Sequence, residues 1–461
     1  MHAYGNKQGG FLVMKKIVAL VLAAMMLIAC CAALAETPEG YPDVIEGLDF
    51  GGATVYLYDW WSSGDRDPDP DEELANTYAY RDWLEATYNV KIVEKALSDW
   101  AGNPTELANR VMNKDNSELC LIAVASDFAG NAFANNLYMP WTIDLSNEKW
   151  NTIASEFSNF GGVTYGVSLG KNEPRSCIFF NKRVLEEAGI DYNTIYDAQQ
   201  NGTWTWDMLS ELLDKVQRDV DNDGVIDVYG ITGSRDDYTI GLMYANNATF
   251  FDTDAEGKLV PTMGSDNALE ALQFNIDTWG KYSAPQPEGS NWDWFKTFWK
   301  EGTSAFYAGQ TWQGFNDGSE MADMADEWGA VMFPIGPHGT TYMAFGCPNI
   351  YGVPNVYDEE TAHKIEQLYD LYTFDVNGGE ENESWVGNKI LYTDERAVYE
   401  TYAMMRKGEH SCAHKVFLLG SNNDVLGSNL LWALWNGTPQ EIVEAGMPAW
   451  QSLCDIFNGV E

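Results

Sequence analysis

The sequence predicts an α/β protein whose sheets are wrapped by helices and whose chain divides into two lobes. Three observations carry that expectation. From residue 53 onward, short apolar runs alternate with amphipathic ones, the pattern of strands joined through helices into parallel sheets. The 461 residues exceed what one hydrophobic core usually serves. Finally, 45% of them are apolar, enough to fill more than one core.

The elements follow in order. "ATVYLY" from Ala53 is a strand, 71–88 an amphipathic helix, "VKIVEKA" a strand, "NPTELANRVMNK" a helix and "LCLIAVA" a third strand. The second of these helices is expected to start with Asn103 as its cap and Pro104 in its first turn. Ligands of parallel sheets bind at the carboxyl ends of the strands. That places Asp59, Trp60 and Trp61 after the first strand, and Ser126 and Asp127 after the third, at a prospective site. A second unit opens near Tyr165: "CIFFNKRVLEEAGI" is strand then helix, and "TWDMLSELLDKVQRDV" is a helix capped by Thr205. Met208, Leu209, Leu212, Leu213 and Val216 fall on one face of it. An aromatic-rich stretch, "NWDWFKTFWKEGTSAFYAGQTWQGF", precedes late helices in "EETAHKIEQLYDLYTF", "DERAVYETYAMM" and "TPQEIVEAGMPAWQSLCDIF". There is no internal repeat and no low-complexity linker, so two domains imply a chain that crosses between them more than once.

Charge narrows the partners. Asp and Glu outnumber Lys and Arg by 69 to 27, for a net charge of −42, a field that repels phosphate backbones and anionic membrane surfaces. Nucleic acid is therefore not an expected partner. The 18 Trp and 24 Tyr suit the half-apolar, half-hydroxyl faces of sugars, although most such rings must serve the core. Lys15 and Lys16 ahead of "IVALVLAAMMLIA" form a secretory signal too short to span a bilayer, with Met14 the expected start. Two exits follow: "LIAC" at 27–30 resembles a lipoprotein signal whose Cys30 becomes lipidated, and "ALA" at 33–35 is a plain cleavage site. The lipoprotein is the preferred expectation. Beyond Cys31 an odd five cysteines lie scattered, which indicates no disulfide framework. No second apolar run approaches spanning length, so the mature protein is expected to be soluble or lipid-tethered.

The order "YGVSLG…CIFFNKRVLEEAGI…TWTWDMLSELLDKVQRDVDNDGVIDVYGI…EGTSAFYAGQTWQGF…FPIGP" resembles the carbohydrate-binding, maltose-binding-protein-like family of extracellular solute-binding proteins that feed ABC importers, from about residue 53 to the C-terminus. The resemblance implies a periplasmic-binding-protein-like fold: two α/β lobes joined by crossing strands near 165–169, 307–312 and 349–353, closing on a sugar in the cleft between them. After an extension and signal over 1–35, it assigns 36–165 and 310–352 to the first lobe and 166–309 and 353–461 to the second. It also implies a monomeric, non-enzymatic receptor that delivers its sugar to membrane permease subunits. By the same resemblance Asp127 matches the acid after the third strand of the first lobe, Trp312 matches an aromatic at the second crossing, and Trp432 and Trp435 lie where another stacking ring is often found. Sparse basic residues favour a neutral oligosaccharide, though Lys171 and Arg175 beside the first crossing suit an acidic one.

Four motifs compete with that reading. "DVDNDGVIDVYG" sets Asp219, Asp221, Asp223 and Asp227 on calcium-loop positions but has Gly230 where a bidentate Glu belongs. A structural calcium site and a plain acidic turn remain as alternatives, both scaffold. "GVSLG" around Ser168 matches a nucleophile elbow, yet "KNEPRS" follows where the elbow requires a helix, so Ser168 is expected near the cleft on a crossing strand. "HSCAH" puts His410, Cys412 and His414 at alternate positions without a fourth zinc ligand, and surface histidines are expected. Paired carboxylates of a glycoside hydrolase are the alternative function, a signal that 69 acids render uninformative.

Overall fold

The computed structural model describes residues 37–170, 175–314, 321, 324–378 and 394–459. The secretory signal, Cys30 and Lys171 lie outside these residues. Two four-stranded sheets dominate the described chain. Their strands are β1 (Thr54–Asp59), β2 (Lys91–Ala96), β3 (Leu119–Ala125), β4 (Ser176–Asn181), β5 (Tyr229–Gly233), β6 (Ser304–Gln310), β7 (Trp328–Val331) and β8 (Asn349–Gly352). The first sheet has the order β8-β3-β1-β2 and the second β7-β4-β6-β5. β1 runs parallel to β2 and β3, with Thr54 opposite Lys91 and Val55 opposite Leu119. β6 runs parallel to β5. Each sheet also has antiparallel pairs, β8 with β3 in the first and β4 with both β6 and β7 in the second. β4 is buried at all six positions, which explains its unbroken apolar run.

The helices are α1 (Glu72–Thr87), α2 (Asn103–Met112), α3 (Ser126–Ala134), α4 (Trp206–Val216), α5 (Arg235–Ala245), α6 (Asp266–Tyr282) and α7 (Pro439–Phe457), with shorter ones between. Thr205 caps α4 as expected, accepting from the Met208 amide, and Leu209, Leu212, Leu213 and Val216 are its buried stripe. α7 opens with a capping box in which Thr438 and Glu441 satisfy each other's backbone amides. Asn103 does not cap α2. Its side chain is buried, and Nδ2 donates to the carbonyls of Asp59 at 3.0 Å and Ala123 at 3.1 Å.

The described chain forms two compact units, a small one of 37–52, 68–90 and 370–378 and a large one that contains both sheets. In the small unit Asp71 caps α1, the Tyr80 hydroxyl donates to the Leu371 carbonyl at 2.7 Å, and Tyr41 meets the Tyr80 ring edge-on. In the large unit Trp204 is fully buried and its indole donates to the Met332 carbonyl, while Trp450 donates to that of Val425. No described helix is long and apolar enough to cross a membrane.

Within the large unit the chain passes from one sheet to the other. Val167 exchanges two backbone hydrogen bonds with Tyr351 of β8, at 2.9 and 2.8 Å, so 165–169 borders the first sheet just before the chain enters β4. After β7 the chain returns through Ala344–Gly346 to β8, close to the crossing expected at 349–353. Among the described residues no crossing appears at 307–312. β6 ends at Gln310, a 3-10 turn covers Thr311–Gly314, and β7 then pairs with β4 in the same sheet. Residues 328–331, expected with the first lobe, therefore hydrogen-bond within the second sheet.

Candidate ligand-binding site

The carboxyl ends of β1, β2 and β3 lie side by side because these strands are parallel. Asp59 closes β1. Its Oδ1 accepts from the amides of Trp61 at 2.9 Å and Ser62 at 2.8 Å, and its Oδ2 from the Ser62 hydroxyl at 2.5 Å. With both oxygens capping the turn and no exposed surface, Asp59 is a clamp rather than the expected acceptor for sugar hydroxyls. What it presents is an edge-to-face pair of rings, Trp60 and Trp61, 4.7 Å apart, with Trp61 52% exposed. Beyond β2 stands Trp100, packed at 4.7 Å on Phe128. Phe128 follows Asp127 in the first turn of α3. One Asp127 oxygen is buried without a hydrogen-bond partner among the described residues. Burial raises the pKa of Asp127 against the opposing pull of the Arg175 guanidinium.

The second sheet adds its own strand ends. β5 finishes at Gly233, whose φ of 124° and a Cβ position only 2.1 Å from the Ala308 carbonyl oxygen admit glycine alone. Ser234 then caps α5, accepting from the Asp237 amide at 3.2 Å. Asp237 is buried and takes a 2.6 Å hydrogen bond from the Ser176 hydroxyl and 3.4 Å contacts from the Gln310 amide. The carbonyl of that amide accepts from the Trp312 indole at 2.7 Å. Burial raises the Asp237 pKa, and Arg175 is among the groups that oppose the rise. Arg175 thus acts on Asp127 at the end of the first sheet and on Asp237 at the end of the second. Its own backbone accepts from Thr311 at 2.8 Å and donates to Phe345 at 3.0 Å.

Beside this network a cavity of about 420 Å³ runs from the Gly233–Asp236 turn past Trp279, Trp292 and Trp294 to Trp432 and Trp435. The Arg235 guanidinium lies over the Trp435 ring at 4.7 Å, and the Trp435 indole nitrogen is buried without a partner among the described residues. Asp236 lines the cavity half-buried. Burial, with Asp237 adding to it and Arg235 opposing, pushes its pKa up to about 6.

No protein-family model matches the sequence, and neither does any curated protein. Solved structures do match. A cyclo/maltodextrin-binding protein complexed with maltotetraose superposes over 87% of this chain and 96% of its own, at 13% identity and a TM-score of 0.57. UspC of M. tuberculosis covers 87% of this chain and all of its own, at 13% identity and 0.56. An ABC transporter solute-binding protein from Thermotoga lettingae, bound with α-D-tagatose, covers 87% and 99% at 16% identity and 0.54. The chain has the solute-binding-protein fold. In that fold two α/β lobes, joined by crossing strands, enclose a ligand cleft, and here the strand ends of both sheets carry the rings and carboxylates described above.

The remaining sequence motifs take their places in the solute-binding fold without forming a second centre. Ser168 is 9% exposed, its carbonyl accepts from the Asn151 amide, and Leu169 bridges Trp150. The chain then enters β4 rather than the helix a nucleophile elbow needs. His410 and His414 do not converge. His410 Nδ1 faces the Tyr342 carbonyl at 2.9 Å. His414 is 1% exposed, which corrects its expected surface position. It bonds the Tyr244 hydroxyl at 2.6 Å and Asn422 at 2.7 Å, and burial pushes its pKa down to about 4. In the acidic loop Asp219, Asp221 and Asp227 each offer an oxygen within 4.8 Å of the others, and Asp223 stays outside that group. The same carboxylates accept backbone amides of the loop, Asp219 from Asn222 at 2.7 Å and Asp227 from Val220 at 2.6 Å, as acidic turns do.

Of the expected site residues, the structure brings Asp127 and Trp312 into the network around Arg175, and Trp432 and Trp435 into the neighbouring cavity. Trp60 and Trp61 stand at the first strand end, and Asp59 and Ser168 serve the scaffold. Trp100, Asp236, Asp237 and Gln310 were missed. The rule that found Trp60, a residue just past a strand end, also finds Trp100 after β2 and Asp236 after β5.

Proposed function

We propose that the protein is the extracellular substrate-binding component of an ABC importer, capturing a carbohydrate and delivering it to membrane permease subunits as a monomer. The observation that carries this is the gathering of rings and hydrogen-bonding groups at the strand ends of both sheets: Trp60, Trp61 and Trp100 on one, Trp312 on the other. Flat indoles with polar handles match pyranose faces, and buried amide and carboxylate groups match hydroxyls. Structures of the same fold are described with maltotetraose, α-D-tagatose and mannobiose. Binding requires no catalytic step, and several solved structures of this fold are described as binding proteins. By this proposal the chain is secreted and held at the outer face of the membrane by lipid on Cys30, and the acidic loop is scaffold able to hold calcium through Asp219, Asp221 and Asp227.

The test is a thermal-shift screen across mono- and oligosaccharides, followed by calorimetric titration of every hit and chromatography of the sugar afterwards. Saturable one-to-one binding with the sugar recovered intact is the expected result. Release of shorter sugars would make the protein a glycoside hydrolase instead.

A further inference from the structure

The cavity beside the Arg175 network contains a carboxylate whose setting is unusual. Asp236 sits half-buried among tryptophans, and no hydrogen bond to its side chain is found among the described residues. Its neighbour Asp237 differs, its carboxylate accepting from the Ser176 hydroxyl and the Gln310 amide. Arg235, the cation nearest in sequence, lies over the face of Trp435, is exposed to solvent, and only partly offsets the burial of Asp236 and the like charge of Asp237. A carboxylate withdrawn from water needs replacement of both its hydrogen bonds and its counter-charge. Sugar hydroxyls supply the first only. An ammonium group supplies both through charge-assisted hydrogen bonds, and tryptophan faces add cation–π attraction. The net charge of −42 draws cations toward the protein and repels anions.

We infer that the ligand is a saccharide bearing a protonated amino group, and that Asp236 selects it, with Trp432 and Trp435 closing around the ring. This rests on the carbohydrate reading and narrows it, replacing the neutral oligosaccharide expected from the sequence. The preference is also sensitive to acid. A carboxylate with a pKa of about 6 is about nine-tenths ionised at pH 7 and about one-tenth at pH 5.

The experiment titrates the full secreted protein with glucosamine and galactosamine oligomers, their N-acetylated counterparts and plain glucose oligomers of equal length. At pH 7 the amines should bind at least about tenfold tighter than the N-acetylated forms. That ratio should fall toward one in Asp236→Asn, and in the wild type it should shrink about tenfold between pH 7 and pH 5. The pH series needs no variant and so stands even if Asp236→Asn fails to fold. N-acetylated or glucose oligomers binding as tightly as the amines would overturn amine selection and leave the carbohydrate reading intact. A preference retained in folded Asp236→Asn would overturn the role of Asp236, and failure of all three classes to bind would overturn both readings.

Discussion

Part of the acid sensitivity of this protein should come from one buried imidazole, that of His414. His414 is enclosed by the rings of Tyr244, Phe250, Phe345 and Phe417, at centroid distances from 4.6 to 5.7 Å. Its two nitrogens already have partners that suit the neutral ring, the Tyr244 hydroxyl at Nδ1 and the Asn422 carbonyl at Nε2. A second proton would bring a charge into a buried aromatic box, which is why the folded pKa falls from 6.5 to about 4. Above pH 6.5 neither state is protonated, and stability does not depend on the group. Between 6.5 and 4 the unfolded chain binds a proton that the folded chain refuses. Stability therefore drops by about 1.4 kcal/mol per pH unit, for about 3 kcal/mol in all, and levels off below pH 4. Urea unfolding at half-unit steps from pH 7.5 to 4 measures this in the wild type and in His414→Gln, which cannot titrate. The carboxylates common to both proteins cancel in the difference. Curves that run parallel from pH 6.5 to 4 would refute the argument and mean that the ring accepts its charge in the fold.

Three further outcomes are expected. Trp312→Ala should weaken saccharide binding about tenfold, equivalent to about 1.4 kcal/mol, while unfolding stays cooperative because the ring is 36% exposed; normal affinity with an unchanged fluorescence response would place Trp312 on the rim. Chelating calcium should lower stability by up to about 2.7 kcal/mol if the ion stands at a hundred times its Kd, with saccharide affinity at low temperature preserved; loss of binding on chelation would put the acidic loop in the site. Cys30→Ser should release the protein from the membrane fraction, whereas a mature N-terminus at Glu36 would show that no lipid is attached.

The strands were legible where burial on both faces leaves an apolar run, as in β3 and β4, and the parallel order of β1, β2 and β3 followed from the helices between them, whereas the antiparallel pairings of β4 and β8 did not. The strand-end rule put Trp60, Trp61 and Asp127 just past the ends of β1 and β3, where the structure has them, because it depends on topology alone. What escaped depended on partners distant in sequence. Asn103 has the sequence signature of a cap, yet its amide is claimed by carbonyls 44 and 20 residues away. Asp59 sits where a ligand acceptor belongs, but a hydroxyl three residues later takes its second oxygen. His414 follows the short strand Ser411–Ala413, whose pairing with Ala344–Gly346 carries it inward. The crossing expected at 307–312 failed because β7 adds to β4, a pairing across about 150 residues of chain that local pattern does not encode.

The Asn103 amide has a consequence for how such a site can change. One nitrogen ties the last carbonyl of β1 to that of Ala123 in β3, so the turn that carries Trp60 and Trp61 and the helix α3 that carries Asp127 follow strands held a fixed distance apart. Under the proposed function, substitutions in either segment would alter which ligand is favoured without moving the other's footing. Loss of the amide would let both footings drift at once, and under the proposed function that would be felt as reduced discrimination among ligands before any loss of the fold. The helix start that looks like mere punctuation thus keeps ligand preference adjustable one loop at a time.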